Sequence, residues 1–131
     1  MAQQPTNAAD FNTQFSRLTK AVFRDIVRDD VARGSDAVAQ ARSYAARGKP
    51  DFVLAYLLVA TLADDEKREL LAQSYESRAT YTEERAREFD RTFHRSFALL
   101  FAEAGKDRAT ARQIRAGRSL RPGAGRQLPT V

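Results

Sequence analysis

The only histidine in the chain, His94, stands four residues after Asp90 and between two ladders of four-residue step. One ladder is Arg87, Arg91 and Arg95; the other is Phe89, Phe93, Phe97 and Phe101. An imidazole one helical turn from a carboxylate could move a proton or hold a metal. Each of those chemistries needs further groups. A serine nucleophile requires a strained turn with oxyanion donors, and no G-x-S-x-G occurs. Di-metal carboxylate bundles require Glu-x-x-His on two helices, but Arg91 stands three before His94 and there is no second histidine. H-E-x-x-H and both glycine-rich phosphate-loop patterns are absent. Without cysteine there is no disulfide, thiolate zinc site or sulfur nucleophile. The residues therefore predict no catalytic group, metal, cofactor or small-molecule substrate. An enzyme using His94 is the remote alternative.

Arginine offers different chemistry, because its guanidinium fork binds phosphate with two parallel hydrogen bonds. Arg87, Arg91, Arg95 and His94 form a candidate interface, but an acid-diluted one. Glu83 lies four before Arg87, and Glu88 three before Arg91. The C-terminal arginines are less diluted. Residues 105–131 hold seven bases (Lys106, Arg108, Arg112, Arg115, Arg118, Arg121 and Arg126) against Asp107 alone, a net of +6. Residues 1–104 hold 15 bases and 16 acids, a net of −1, which completes the +5 of the chain. If residues 107–116 are helical, Arg108, Arg112 and Arg115 fall within about 60° of one another. These seven bases are the predicted nucleic-acid-contacting residues.

The elements that must position these groups read as helices. Thr6 or Asn7 can cap a first helix, with Phe11, Phe15, Leu18, Val22 and Ile26 as its buried stripe and Gly34 as its stop. Ser35 caps a second, which Gly48 ends. Pro50 opens a third, the apolar run from Phe52 to Ala63. That run is too short for the roughly 20 residues of a membrane span. Asp64, Asp65 and Glu66 place negative charge at the start of a fourth helix. Thr80 and Glu83 form a capping-box pattern that would start a fifth. The apolar stripe also continues past that point, so one helix over residues 65–104 is the competing reading. Gly105 stops either version. Both readings put the Phe ladder in the core, on an arc of about 120°. Segments 41–48 (ARSYAARG) and 72–79 (AQSYESRA) share alanine, serine, tyrosine and arginine at the same spacing.

The expected molecule is all-α, a bundle of four to five helices over residues 1–104. A basic tail at 105–131 follows, with a short helix at about 107–116 and a flexible remainder. Its N-terminal stretch, MAQQPTNAADFN, has neither the basic nor the apolar region of a secretory signal, so a cytoplasmic location is expected. The expected role is a non-catalytic interaction or assembly subunit whose tail contacts RNA or DNA within a nucleoprotein complex. Self-association or other protein subunits are further expected partners, and a membrane is not. A protein–protein adaptor with an incidental solubility tail is the alternative.

Overall fold

Glycines at three chain reversals set the helix ends. Gly34, Gly48 and Gly117 have φ of 105°, 70° and 78°, a region that costs a side chain with a Cβ. Each sits just past a helix and lets the chain close a Schellman motif. Ser35 N donates to Asp30 O, Lys49 N to Tyr44 O, and Arg118 N to Gln113 O, at 3.0–3.2 Å. The computed structural model describes residues 10–93, 97–118 and 120. Among these it is an all-α bundle: α1 Phe11–Phe15, α2 Ala21–Ala32, α3 Ala37–Ala46, α4 Pro50–Val59, α5 Asp64–Phe93 and α6 Ala98–Arg115, with a 3-10 turn at Ser16–Leu18. No helix among them is long and apolar enough to cross a membrane.

The predicted first helix is divided. Asp10, not Thr6 or Asn7, caps α1 by accepting from Thr13 N at 2.8 Å. The chain is extended at Thr19 before α2 begins. That break changes the phase of the buried stripe. Phe11 and Phe15 are fully buried, whereas Val22 and Ile26 are exposed; α2 instead packs Phe23, Val27 and Val31 inward. Beside its two buried rings, the short α1 is also tied to the bundle by polar side chains. Asn12 donates to Leu58 O and accepts from Lys67, while Gln14 donates to Gly117 O and accepts from Arg68.

The cap of α3 is Asp36, which accepts from Val38 N and Ala39 N. Ser35, the predicted cap, instead donates to Asp30 Oδ1 at 2.7 Å. Asp30 also accepts from Tyr56 at 2.5 Å and Gln40 at 3.3 Å, so one carboxylate joins α2, α3 and α4. These bonds, chiefly that from Tyr56, hold its pKa below the ordinary 3.8. Above them Phe23, Tyr44, Phe52 and Tyr56 form a chain of ring contacts 4.7–5.8 Å apart.

The fourth helix neither restarts at Thr80 nor reaches residue 104. It runs unbroken to Phe93, about 45 Å at 1.5 Å per residue, and α6 returns antiparallel along it. Glu83, required by the capping box, is bonded to Arg108 instead. The helices α3 and α4 are only about 15 Å long and flank α5 as far as Tyr81, whose hydroxyl donates to Ala46 O at 3.0 Å. Beyond Tyr81 the buried residue of α5 is Ala86, on the side of α6.

Substitution at the two ends of the molecule should therefore differ. Phe15→Ala should cost about 3–5 kcal/mol, since the ring is fully buried. Phe93→Ala should stay within about 0.5 kcal/mol, since that ring is 59% exposed. Urea titration of both variants measures this, and equal losses would show that the distal half of α5 belongs to the core.

Candidate functional site

The seam between α5 and α6 is built from residues seven apart. Ala72, Ala79 and Ala86 on α5 and Ala104 and Ala111 on α6 are all fully buried. Small side chains let two helix axes lie close. Beside this stripe, Glu69, Glu76 and Glu83 also recur every seven residues, opposite Arg108 and Arg115. Arg115 Nε and Nη2 donate to the two Glu69 oxygens, each at 2.9 Å, and Arg115 also bonds Glu76. Arg108 donates to both oxygens of Glu83, at 2.5 and 3.3 Å. On the other flank, Arg78 Nε and Nη2 donate to Asp107 Oδ2 and Oδ1, both at 2.9 Å.

The electrostatics follow from these contacts. Hydrogen bonds from Arg115 hold the carboxyls of Glu69 and Glu76 below the ordinary 4.5. The same bonds, Glu69's first, raise the pKa of Arg115, and Glu83 does so for Arg108. Burial opposes the charge on Arg78, but the bonds and charge of Asp107 outweigh it and its pKa also rises.

These pairs correct the predicted division of the chain. Gly105 does not stop a helix; α6 runs through it from Ala98 to Arg115. Gly105 faces open space, while its neighbours Ala104 and Asp107 are buried. Packing on both sides of the glycine therefore keeps the helix continuous. Residues 105–115 are part of the bundle rather than a tail. Arg108 and Arg115, predicted to contact nucleic acid, are neutralised within the fold.

The other predicted contacts divide by their surroundings. Lys106, Arg112 and Arg118 are exposed and have no carboxylate partner among the described residues. The Schellman turn at Gly117 folds the Arg118 backbone over the end of α6. There Arg118 shares a groove of about 360 Å³ with Ala109, Arg112, Gln113 and Ala116. Arg121 and Arg126 lie outside the described residues, as do His94 and Arg95. Arg91 pairs with Glu88 as the sequence predicted. Arg87 has lost its predicted partner, because Glu83 turns to Arg108.

The Phe ladder is not a core stripe. Phe89 packs 5.2 Å from Phe97 and 5.9 Å from Phe93, ring centre to ring centre. Phe93 and Phe101 are exposed and α6 starts after Phe97, so the ladder spans two helices. What the sequence reading missed was the seven-residue recurrence of alanine, glutamate and arginine. That pattern was available and marks a close helix pair.

The repeated segments also acquire a physical meaning. Arg47 lies 4.2 Å over the Tyr44 ring, and Arg78 lies 5.2 Å over Tyr75. The two copies meet where Gly48 packs on the backbone of Arg78. A Cβ at Gly48 would lie 2.8 Å from Arg78 N.

No protein-family model, curated protein or solved structure matches this chain.

Removing the Asp107 carboxylate should leave the Arg78 charge half-buried and unmatched. Asp107→Ala should cost about 3 kcal/mol, the lower end for a broken buried pair because Arg78 keeps some solvent contact. A urea melt measures it, and a loss below about 1 kcal/mol would show that Arg78 needs no counter-ion.

Acid should loosen the same seam. The depressed pKa values of Glu69 and Glu76 contribute stability that is complete above 4.5 and lost as pH falls through the lower folded values. Arg115→Met should therefore reduce the stability difference between pH 7 and about pH 3. An unchanged difference would remove Arg115 from the acid response.

Proposed function

We propose that this protein is a non-catalytic helical interaction subunit whose exposed C-terminal arginines contact a polyanion, RNA or DNA. The observation carrying this reading is the groove shared by Arg112 and Arg118, two guanidiniums without carboxylate partners among the described residues, at the open end of α6. Lys106 on α6 adds a third cation with no acidic partner among the described residues. In the sequence, Arg121 and Arg126 continue the charge with no acid after Asp107. Phosphate contacts of this kind bind by releasing counterions and read no base sequence. Assembly within a nucleoprotein complex is consistent with a small bundle that presents charge at one end. The protein-adaptor alternative is favoured by a separate observation, the exposed Phe93, Leu99 and Phe101 at the far end of the hairpin.

The polyanion reading sets a defined salt response. With about three to five phosphate contacts, log K should fall with log salt at a slope of roughly −2 to −4.5. Fluorescence anisotropy with a labelled single strand and a labelled duplex measures it. The double variant Arg112→Ala/Arg118→Ala should reduce the slope by roughly 1.4–1.8 and leave the melting temperature unchanged. Arg108→Ala/Arg115→Ala should do the reverse, lowering the melting temperature with little change in slope. Absence of binding at low salt, or an unaltered slope in the first variant, would rule out this role for the groove.

A further inference from the structure

Both walls of the groove at the end of α6 are held in place. Arg112 and Gln113 stand on the helix itself. Arg118 stands on the returning chain, which is fixed on either side of it. Gly117 O accepts from Gln14 at 3.1 Å, and Leu120 is buried in the core of the bundle. Arg118 N is tied in turn to Gln113 O at 3.1 Å. The Arg118 wall therefore starts from a fixed backbone, and a ligand bound there orders little further chain. The volume of about 360 Å³ falls within the roughly 300–1,000 Å³ of sites that enclose a ligand.

The cross-section of the groove restricts what it takes. At 100° per residue, Ala109 and Ala116 lie about 20° apart and form the floor. Arg112 stands roughly 40–60° to one side of them and Gln113 roughly as far to the other. Two turns back, Lys106 continues the Gln113 edge. The face is thus low along its middle and polar at its edges. A helix that reads a duplex has the inverse profile, because long side chains at its centre must reach into a major groove about 12 Å wide. A hollow with cationic edges suits a narrower polyanion, a lone strand whose phosphates reach both edges.

The charges of α6 and its neighbours agree with that profile. Asp107, Arg108 and Arg115 are paired with groups of α5. Lys106, Arg112 and Arg118 have no acidic partner among the described residues, and Glu103 has no basic one. Glu103 stands three residues before Lys106, on the side away from the groove, and so limits the cationic track there. One turn from Arg112, the guanidinium of Arg115 is shared by two carboxylates, Glu69 and Glu76, so that flank is net negative. A duplex laid along the groove overlaps its flanks, and this one repels the additional phosphates. Among the described residues no aromatic ring lines the groove. Bases therefore find no stacking platform and are not read.

We infer that the polyanion is single-stranded: one RNA or DNA strand runs along the outer face of α6 from Lys106 to Arg118. Its phosphates meet Lys106, Arg112 and Arg118, and its backbone lies against Ala109 and Ala116. This inference rests on the polyanion reading and narrows it.

Fluorescence anisotropy at matched salt tests it, with a labelled single strand of mixed sequence and the duplex formed with its complement. Wild-type protein should bind the single strand about tenfold more tightly, the margin of one charge-assisted hydrogen bond made to it alone. Ala109→Leu/Ala116→Leu retains every charge and fills the floor. It should bring the single strand down to the duplex affinity, leave duplex binding unchanged and keep the wild-type melting profile. Gln113→Glu, at an exposed edge position, should weaken the single strand more than the duplex. A duplex bound as tightly as the single strand would overturn the inference. So would single-strand affinity unaltered by the leucines, or equal effects of Gln113→Glu on both nucleic acids. In each of those cases weaker binding by Arg112→Ala/Arg118→Ala still upholds the polyanion reading. Binding of neither nucleic acid at low salt would overturn both.

Discussion

Asp107 is 4% exposed and holds the Arg78 guanidinium with both of its oxygens. Arg78 occupies the crossing point of the molecule. Its backbone receives Gly48 from the turn after α3, its guanidinium lies over Tyr75, and its charge is further favoured by Asp51 at the start of α4. Removing water from a guanidinium is costly unless a carboxylate replaces it. The pair therefore constrains α6 to one height along α5. At that height the alanines interdigitate and Arg108 and Arg115 reach Glu83, Glu69 and Glu76. The ion pairs contribute modestly to stability where solvent reaches them. Their larger effect is on register, since a slide of one turn along the seam would leave Asp107 buried without its partner.

That register decides which charges face outward. Of the arginines within α6, Arg108 and Arg115 are turned toward the acids of α5, and Arg112 is turned away. The Gly117 turn then brings Arg118 beside Arg112 rather than letting it extend from the helix. Two cations sharing one groove are a narrower feature than a run of seven bases. The basic character that a polyanion would meet is correspondingly smaller than the net charge of residues 105–131 implies.

The bundle is asymmetric along its long axis. Near α1–α4 the hairpin is embedded in aromatic and aliphatic packing, with Phe11, Phe15, Leu57, Leu71 and Ile114 fully buried. Past Tyr81 it consists of two helices, and two helices bury only the seam between them. Apolar side chains in that segment have no third element among the described residues to pack against. The exposure of Phe93, Leu99 and Phe101 follows from this geometry rather than from their type. Four-residue spacing describes one face of one helix, and here it crosses from one helix into another.

Several features were determined by local chemistry and could be read from the chain alone. Gly34 and Gly48 end helices because a left-handed residue closes the last turn, and Pro50 begins one because its missing N–H is not needed there. Asp64, Asp65 and Glu66 mark the start of α5 for the same electrostatic reason that any first turn favours acids. The all-α class was legible too, from the helical period of the other segments and because the continuous apolar run from Phe52 to Ala63 has no second strand candidate to pair with. The glycine at position 105 shows where local signals stop. Its cost within a helix is only about 1 kcal/mol, and the burial of Ala104 and Asp107 against α5 offsets it. The partners of Arg108 and Arg115 lie 25 to 46 residues away, beyond any helix-period rule. Only tertiary structure, by folding α6 back on α5, decided which arginines are neutralised and which remain exposed.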